Sequence, residues 1–183
     1  MPIPQKRYYT AEDYWNLPQE ERAELIDGKF YFMAPPNRRH QKLIAQLTKI
    51  LGQYIDLHHG ECEVYPAPFA VNLDAENKNW VEPDISVICD KRKLDDRGCT
   101  GAPDFIIEIV SSSSRRMDYT IKNFLYSNAG VREYWIIDPL KECTTVYRYE
   151  EDAAPTIFPF ESDITVGIYQ TLSVNVSNLL KEE

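Results

Sequence analysis

The run Phe105-Ile106-Ile107-Glu108-Ile109-Val110 sets one carboxylate among five apolar residues, and the run Pro83-Asp84-Ile85-Ser86-Val87-Ile88-Cys89 opens on another. Short apolar runs rich in β-branched residues and bounded by turn formers read as buried strands. On a strand, residues i and i+2 share a face, so Glu108 and Val110 point one way and Ile109 points into the opposite layer. An unpaired charge at Glu108 would cost several kcal/mol, and a divalent cation shared with Asp84 is the simplest compensation. Val110 leaves an apolar side chain where a catalytic amine would help. The nearest well-placed amine is Lys122, on the helix that follows.

That helix is expected to start from N-caps among Ser111 to Ser114 and to run to about Asn128, with Gly130 as its stop. Asp118, Lys122 and Tyr126 fall at i, i+4 and i+8, which puts them on one helical face. By spacing alone they serve equally as an exposed ion pair worth about 0.3 to 0.5 kcal/mol. Arg132 to Asp138 reads as the next strand, pairing with Thr144 to Tyr149 across Pro139 to Glu142. Tyr134 and Trp135 face opposite ways on it, and core or dimer surface suits them better than stacking platforms.

Upstream, Arg39 to His58 carries apolar residues at spacings of three and four, with Gly60 following, and predicts the longest helix. Thr10 and Asp13 form a capping box for a short helix over Ala11 to Leu17, and Asp27-Gly28 between two strand-like runs predicts a hairpin. Cys62 to Leu73, interrupted by Pro66 and Pro68, is expected as an edge or broken strand, and Trp80 to Cys89 as one strand. Two more strands are expected around Thr156 to Phe160 and Tyr169 to Val174, with an amphipathic turn near Leu179. The order helix, three strands, helix, strand points to an α+β or α/β layer around a mixed sheet.

At 183 residues and 43% apolar content, the chain is expected to form a single domain over residues 1–183. No apolar run reaches membrane-spanning length, and Met1 to Arg7 lack the apolar stretch of a signal peptide, so a soluble, cytoplasmic protein is expected. Cysteines at 62, 89, 99 and 143 have no metal-type spacing, which predicts reduced, structural thiols rather than a zinc ribbon or a disulfide framework. The net charge of -9 opposes long-range attraction to nucleic acid. A loose Pro-Asp pattern is also easily met by chance, and Pro103-Asp104 rivals Pro83-Asp84.

A longer set of matches resembles the Uma-type restriction endonuclease family, a branch of the PD-(D/E)XK nuclease superfamily. It spans about Tyr9 to Tyr149: Ala23-Glu24-Leu25-Ile26-Asp27-Gly28, His40, Glu82-Pro83-Asp84-Ile85-Ser86-Val87, Gly101-Ala102-Pro103-Asp104, Glu108-Ile109-Val110-Ser111, Asp118, Lys122, Tyr126, Gly130-Val131, Glu133-Tyr134-Trp135 and Asp138-Pro139. The resemblance implies a restriction-endonuclease-like αβββαβ core with a mixed central sheet flanked by helices, plus an N-terminal hairpin and C-terminal strands. It implies Asp84 and Glu108 as metal ligands with the Ile109 carbonyl as a third, Glu24 as an outer acidic residue, and Lys122 as the amine moved from strand to helix. The chain departs from the family at Ser111-Ser112-Ser113, where Ser-Pro-Ser is common. That changes the helix entry and removes no catalytic group.

Oxygen ligands suit Mg²⁺ or Mn²⁺, and the implied activity is hydrolysis of DNA phosphodiesters, by a homodimer where both strands are cut. Accessory candidates are His40, Asp118, Tyr126 and the phosphate-binding pair Arg115 and Arg116. His40 can equally be structural. His58-His59 fit a helix C-terminus better than a metal, and Lys91 to Lys93 with Arg97 fit a solvated loop. The alternative function is a catalytically weak or inactive nuclease-fold module that binds nucleic acid or regulates. A third reading is a purely structural domain in which Glu108 finds a protein partner.

Overall fold

The computed structural model describes residues 8–151 and 153–181, so Met1 to Arg7 lie outside the described residues. Helix α1 (Ala11–Trp15) starts at the Thr10 and Asp13 capping box, and strands β1 (Ala23–Ile26) and β2 (Lys29–Phe32) form the hairpin. Asp27 and Gly28 both take positive φ in its turn, the backbone that Asp-Gly favours. Helix α2 (Arg38–Leu57) follows, capped by the Asn37 side chain, which accepts the His40 amide at 2.9 Å. Then come β3 (Glu63–Pro66), β4 (Val71–Asn72), β5 (Asn79–Val81), β6 (Ile85–Ile88), β7 (Leu94–Asp95), β8 (Gly98–Thr100) and β9 (Phe105–Ile109). A π-helical segment (Met117–Lys122) runs into α3 (Asn123–Ala129), which ends at Gly130 in the left-handed region. Strands β10 (Glu133–Asp138), β11 (Cys143–Arg148), β12 (Thr156–Pro159), β13 (Asp163–Val166) and β14 (Tyr169–Asn175) and helix α4 (Val176–Leu180) complete the order.

The central sheet has the order β12-β11-β10-β9-β6-β3. Strands β9 and β10 are parallel, joined by the crossover through α3, while β6 is antiparallel to both its neighbours. The expected αβββαβ core is therefore α2, β3, β6, β9, the α3 region and β10 around a mixed sheet. One sheet face buries Val87, Phe105, Ile107, Ile109 and Trp135 under α2 and the β13–β14 hairpin. The other buries Ile106, Val110, Tyr134 and Ile136 with Tyr126 of α3 and with Ile26 and Val81 of a second sheet. Ile109 and Val110 thus face opposite layers, as strand alternation requires.

That second sheet, ordered β2-β1-β5-β4-β8-β7, departs from the expectations. Trp80 to Cys89 is two strands in two sheets, because the chain crosses between them at Glu82-Pro83-Asp84, where proline has no N–H for a ladder. Cys62 to Leu73 divides likewise, its first part forming the outer strand β3 and its second the interior strand β4. Cys62 and Cys89 flank the paired strands β3 and β6 and form a disulfide, which corrects the expectation of reduced thiols; only Cys99 and Cys143 are free. Tyr134 and Trp135 are both fully buried and supply no dimer surface. Among the described residues, no helix is long and apolar enough to cross a membrane.

Candidate active site

Extending the β6–β9 register by one residue beyond Ile85 and Ile107 sets Asp84 opposite Glu108. Their backbones tie them together: the Ile109 amide donates to Asp84 Oδ2 at 2.7 Å and the Asp84 amide to Glu108 Oε2 at 3.4 Å. Asp84 is at the crossing between the two sheets and remains 17% exposed, whereas Glu108 is 3% exposed in mid-strand.

Lys122 reaches Glu108 from its helix. Its Nζ donates to Glu108 Oε1 at 2.8 Å, lies 2.8 Å from Glu24 Oε1 on β1, and is 3.9 Å from Asp118 Oδ1. Tyr126 donates its hydroxyl to the same Glu108 Oε1 at 2.7 Å. The three helical residues share a face although the helix is not uniformly α. A π turn holds more residues than an α turn, so the steps from Asp118 to Lys122 and from Lys122 to Tyr126 err in opposite senses and their errors offset. The Asp118 carbonyl accepts the Tyr134 hydroxyl at 3.1 Å. Glu24 is fixed by the Glu82 amide, which donates to its Oε1 at 2.9 Å.

The electrostatics follow from burial and sign. Burial pushes the Glu108 carboxyl well above its usual range, with Lys122 opposing and Asp84, Asp118 and Glu24 reinforcing the rise. Burial likewise lifts Asp118 to about 6, again against Lys122. Burial works against charge on Lys122, but Glu108, Glu24 and Asp118 outweigh it and hold the amine protonated. His40 Nε2 is 3.2 Å from Asp84 Oδ2, while its Nδ1 has no partner among the described residues. Burial lowers the His40 pKa, yet the Asp84 carboxylate prevails and the net direction is upward.

These groups line a cleft of about 680 Å³. Its lining holds five carboxylates, Glu24, Glu82, Asp84, Glu108 and Asp118, against two permanent cations, Arg22 and Lys122. Arg22 is committed to Glu82 at 2.6 Å. Among the described residues no three His, Cys, Asp or Glu side chains converge closely enough to hold a metal by themselves. A divalent ion would therefore need the Ile109 carbonyl and water beside Asp84 and Glu108. The donor set fits such an ion, being all oxygen and carrying excess negative charge.

Two anticipated residues lie elsewhere. Arg115 turns to Asp138 on β10, its Nη2 donating to Oδ1 at 3.0 Å, and exposed Arg116 does not line the cleft. Asp138 is fully buried, and this guanidinium offsets its charge. In the Lys91 to Lys93 loop, Lys91 pairs with Glu63 of β3 and Arg92 with Asp90, while Lys93 donates to the Ala102 carbonyl. His58 Nδ1 pairs with the Tyr54 carbonyl at the end of α2. Sequence reasoning overlooked Phe32, an aromatic on the cleft rim. Its signal was a Phe30-x-Phe32 alternation at the end of a hairpin, with no core partner evident in the sequence.

Comparison with known proteins agrees with this architecture. The chain is 24% identical over 156 residues to the uncharacterized protein slr1290 of Synechocystis sp., covering 84% of this chain and 80% of that one. The crystal structure of a "putative nuclease belonging to DUF820" from Anabaena variabilis superposes with a TM-score of 0.76 at 20% identity, covering 98% of each chain, and so shares the fold. The sequence model of the Uma2 family, described as "putative restriction endonuclease", matches residues 11–177, and the chain belongs to that family.

Proposed function

We propose that the chain is a metal-dependent DNA endonuclease, built as a single nuclease-like domain over residues 1–183, with Asp84, Glu108, Lys122 and Glu24 as its catalytic group. The observation that carries this reading is the excess of buried negative charge around one ammonium. Glu24, Glu108 and Asp118 are each buried and Asp84 lies beside them, with Lys122 alone bonded in their midst. Such a cluster is stable only if protons or a cation offset it. Membership in a nuclease family supports the cation.

Asp84, Glu108 and the Ile109 carbonyl would hold Mg²⁺ or Mn²⁺, which polarises a scissile phosphate and makes water a better nucleophile. The Lys122 ammonium would orient the attacking water or stabilise charge developing on the phosphoryl oxygens. Glu24 and Asp118 keep that ammonium charged, and Tyr126 steadies Glu108 from the core. His40 would steady Asp84. Cleavage of both strands would call for a second copy of the chain.

The test is hydrolysis of single-stranded, linear duplex and plasmid DNA with Mg²⁺, Mn²⁺ or chelator, using the wild type, Asp84→Ala and Glu108→Ala. Metal-dependent cutting should vanish in both variants while circular dichroism reports an intact fold. Cutting that survives both changes would sink the site assignment.

One observation favours a second reading, a catalytically weak module. Glu108 Oε1 already accepts two donors and His40 already holds Asp84. Calorimetric titration with Mn²⁺ separates the two, because heat that is absent, or unchanged by Asp84→Asn, favours the module.

A further inference from the structure

We infer that the cleft takes an unpaired nucleic-acid strand, with a base stacked on Phe32, rather than an intact duplex; this deepens the nuclease reading and rests on it. Phe32 is 62% exposed, the last residue of the hairpin strand β2, and it lines the cleft together with Met33, Pro35 and Pro36. Pro35 and Pro36 stiffen this lip and lack amide donors, and the Met33 amide is spent on the Arg22 carbonyl at 2.9 Å, so the lip offers mainly apolar surface. A large exposed aromatic against a polar site is suited to the face of a base. Bases inside a duplex have no such face available.

Another part of the lining is the Ser111 to Ser114 turn. Ser111 and Ser114 satisfy one another, each amide donating to the other's hydroxyl at 3.0 and 3.1 Å, while Ser112 and Ser113 are exposed. Neutral hydroxyl donors can hold phosphate oxygens without adding charge. The cleft thus joins a stacking surface to a phosphate-compatible one around the carboxylates.

Charge argues in the same direction. Duplex binders draw most of their affinity from Lys and Arg that displace counterions along the backbone. Here both permanent cations of the cleft are bonded to carboxylates, Arg115 is bonded to Asp138, and the whole chain carries -9. A volume of about 680 Å³ is that of a pocket for a small ligand or a few nucleotides, not a groove for a double helix.

The experiment is fluorescence anisotropy of a labelled oligonucleotide, single-stranded or annealed as a blunt duplex, with the full chain in Ca²⁺ and in EDTA. The single strand should bind at least about tenfold more tightly than the duplex, and log affinity should fall against log salt with a slope no steeper than about -2, the mark of two or three phosphate contacts. Phe32→Ala should lose about tenfold for the single strand, and Phe32→Tyr should restore it. Equal affinity for duplex, a steep salt slope, an indifferent Phe32→Ala, or no binding of either form overturns the inference. The readout needs no turnover, so single-strand binding by a protein that cuts nothing defeats the nuclease reading and leaves this one standing.

Discussion

Glu108 on β9 and Glu133 on β10 are buried glutamates on neighbouring strands of one sheet, 3% and 1% exposed, and burial raises the pKa of both. They differ in company. Glu133 faces the α2 side, where Trp135 Nε1 donates to Oε1 at 2.7 Å and the Ile168 amide to Oε2 at 3.1 Å, with the Gly167 amide beside it. A Cβ on Gly167 would come within 2.8 Å of Glu133 Oε2, so the glycine lets the β13–β14 turn close onto the acid. Neutral donors and the Arg148 guanidinium, 3.9 Å away, surround one carboxylate, while other carboxylates crowd the other. A buried acid is thus no sign of a site by itself; an acid whose neighbours share its sign is.

The largest expected effect separates the two by activity. Glu108→Gln should reduce metal-dependent cleavage by about 10³-fold or more, equivalent to about 4 kcal/mol of transition-state stabilisation. Urea unfolding in chelator should show stability unchanged or slightly higher, because the amide keeps an acceptor for Lys122 and Tyr126 while removing one of the crowded charges. A loss of several kcal/mol would instead make Glu108 a structural acid like Glu133.

Glu133→Ala should do the reverse. It strands the Trp135 indole N–H and the Ile168 amide in the interior, and each buried donor without an acceptor costs about 1–3 kcal/mol, so a loss of about 3 kcal/mol is expected in urea unfolding. Specific activity per folded molecule should stay at the wild-type level, since Glu133 lies across the sheet from the cleft. Activity falling with stability unchanged would break the comparison from the other side.

The contrast also marks how far the sequence is legible. Strand β9, helix α2, the Asp-Gly hairpin and the crossover through Lys122 follow from periodicity and caps, because each is set by neighbours in the chain. The rest of the second sheet, beyond that hairpin, does not. Its strands β4, β7 and β8 are two or three residues long and acquire their pairing from distant segments. The Cys62–Cys89 bond is equally hidden, since 27 residues separate two cysteines that only the β3–β6 register brings together. The convergence of Asp84, Glu108 and Lys122 could be anticipated. The commitment of Arg115 to Asp138 could not, because Arg115 precedes the Lys122 helix in a way that suits either partner.

The smallest of these effects is a pH dependence that belongs to the cluster. Burial lifts Asp118 to about 6, against about 3.9 in an unfolded chain. Between those values Asp118 binds more protons in the native than in the unfolded state, so its share of the unfolding free energy falls as pH rises from about 4 to about 6 and then levels off. That share should be about 2 kcal/mol in chelator, read as the difference between wild type and Asp118→Asn in urea midpoints at successive pH values. Glu108 and Glu133 are raised by burial too and contribute in the same direction, Glu108 carrying the fall beyond pH 6, so the wild type alone cannot apportion the slope. His40, raised on balance by Asp84, adds a loss that begins only above its unfolded pKa of about 6.5. Asp118→Asn isolates its own share: the curve should flatten between pH 4 and 6, with the variant the more stable protein at pH 7. Saturating Mg²⁺ should flatten the wild-type curve as well, because a bound cation favours the charged carboxylates, and the share due to Glu133 should persist. A slope indifferent to both Asp118→Asn and Mg²⁺ would mean that the cluster carries no uncompensated charge, and Glu108 would then be as well satisfied as Glu133.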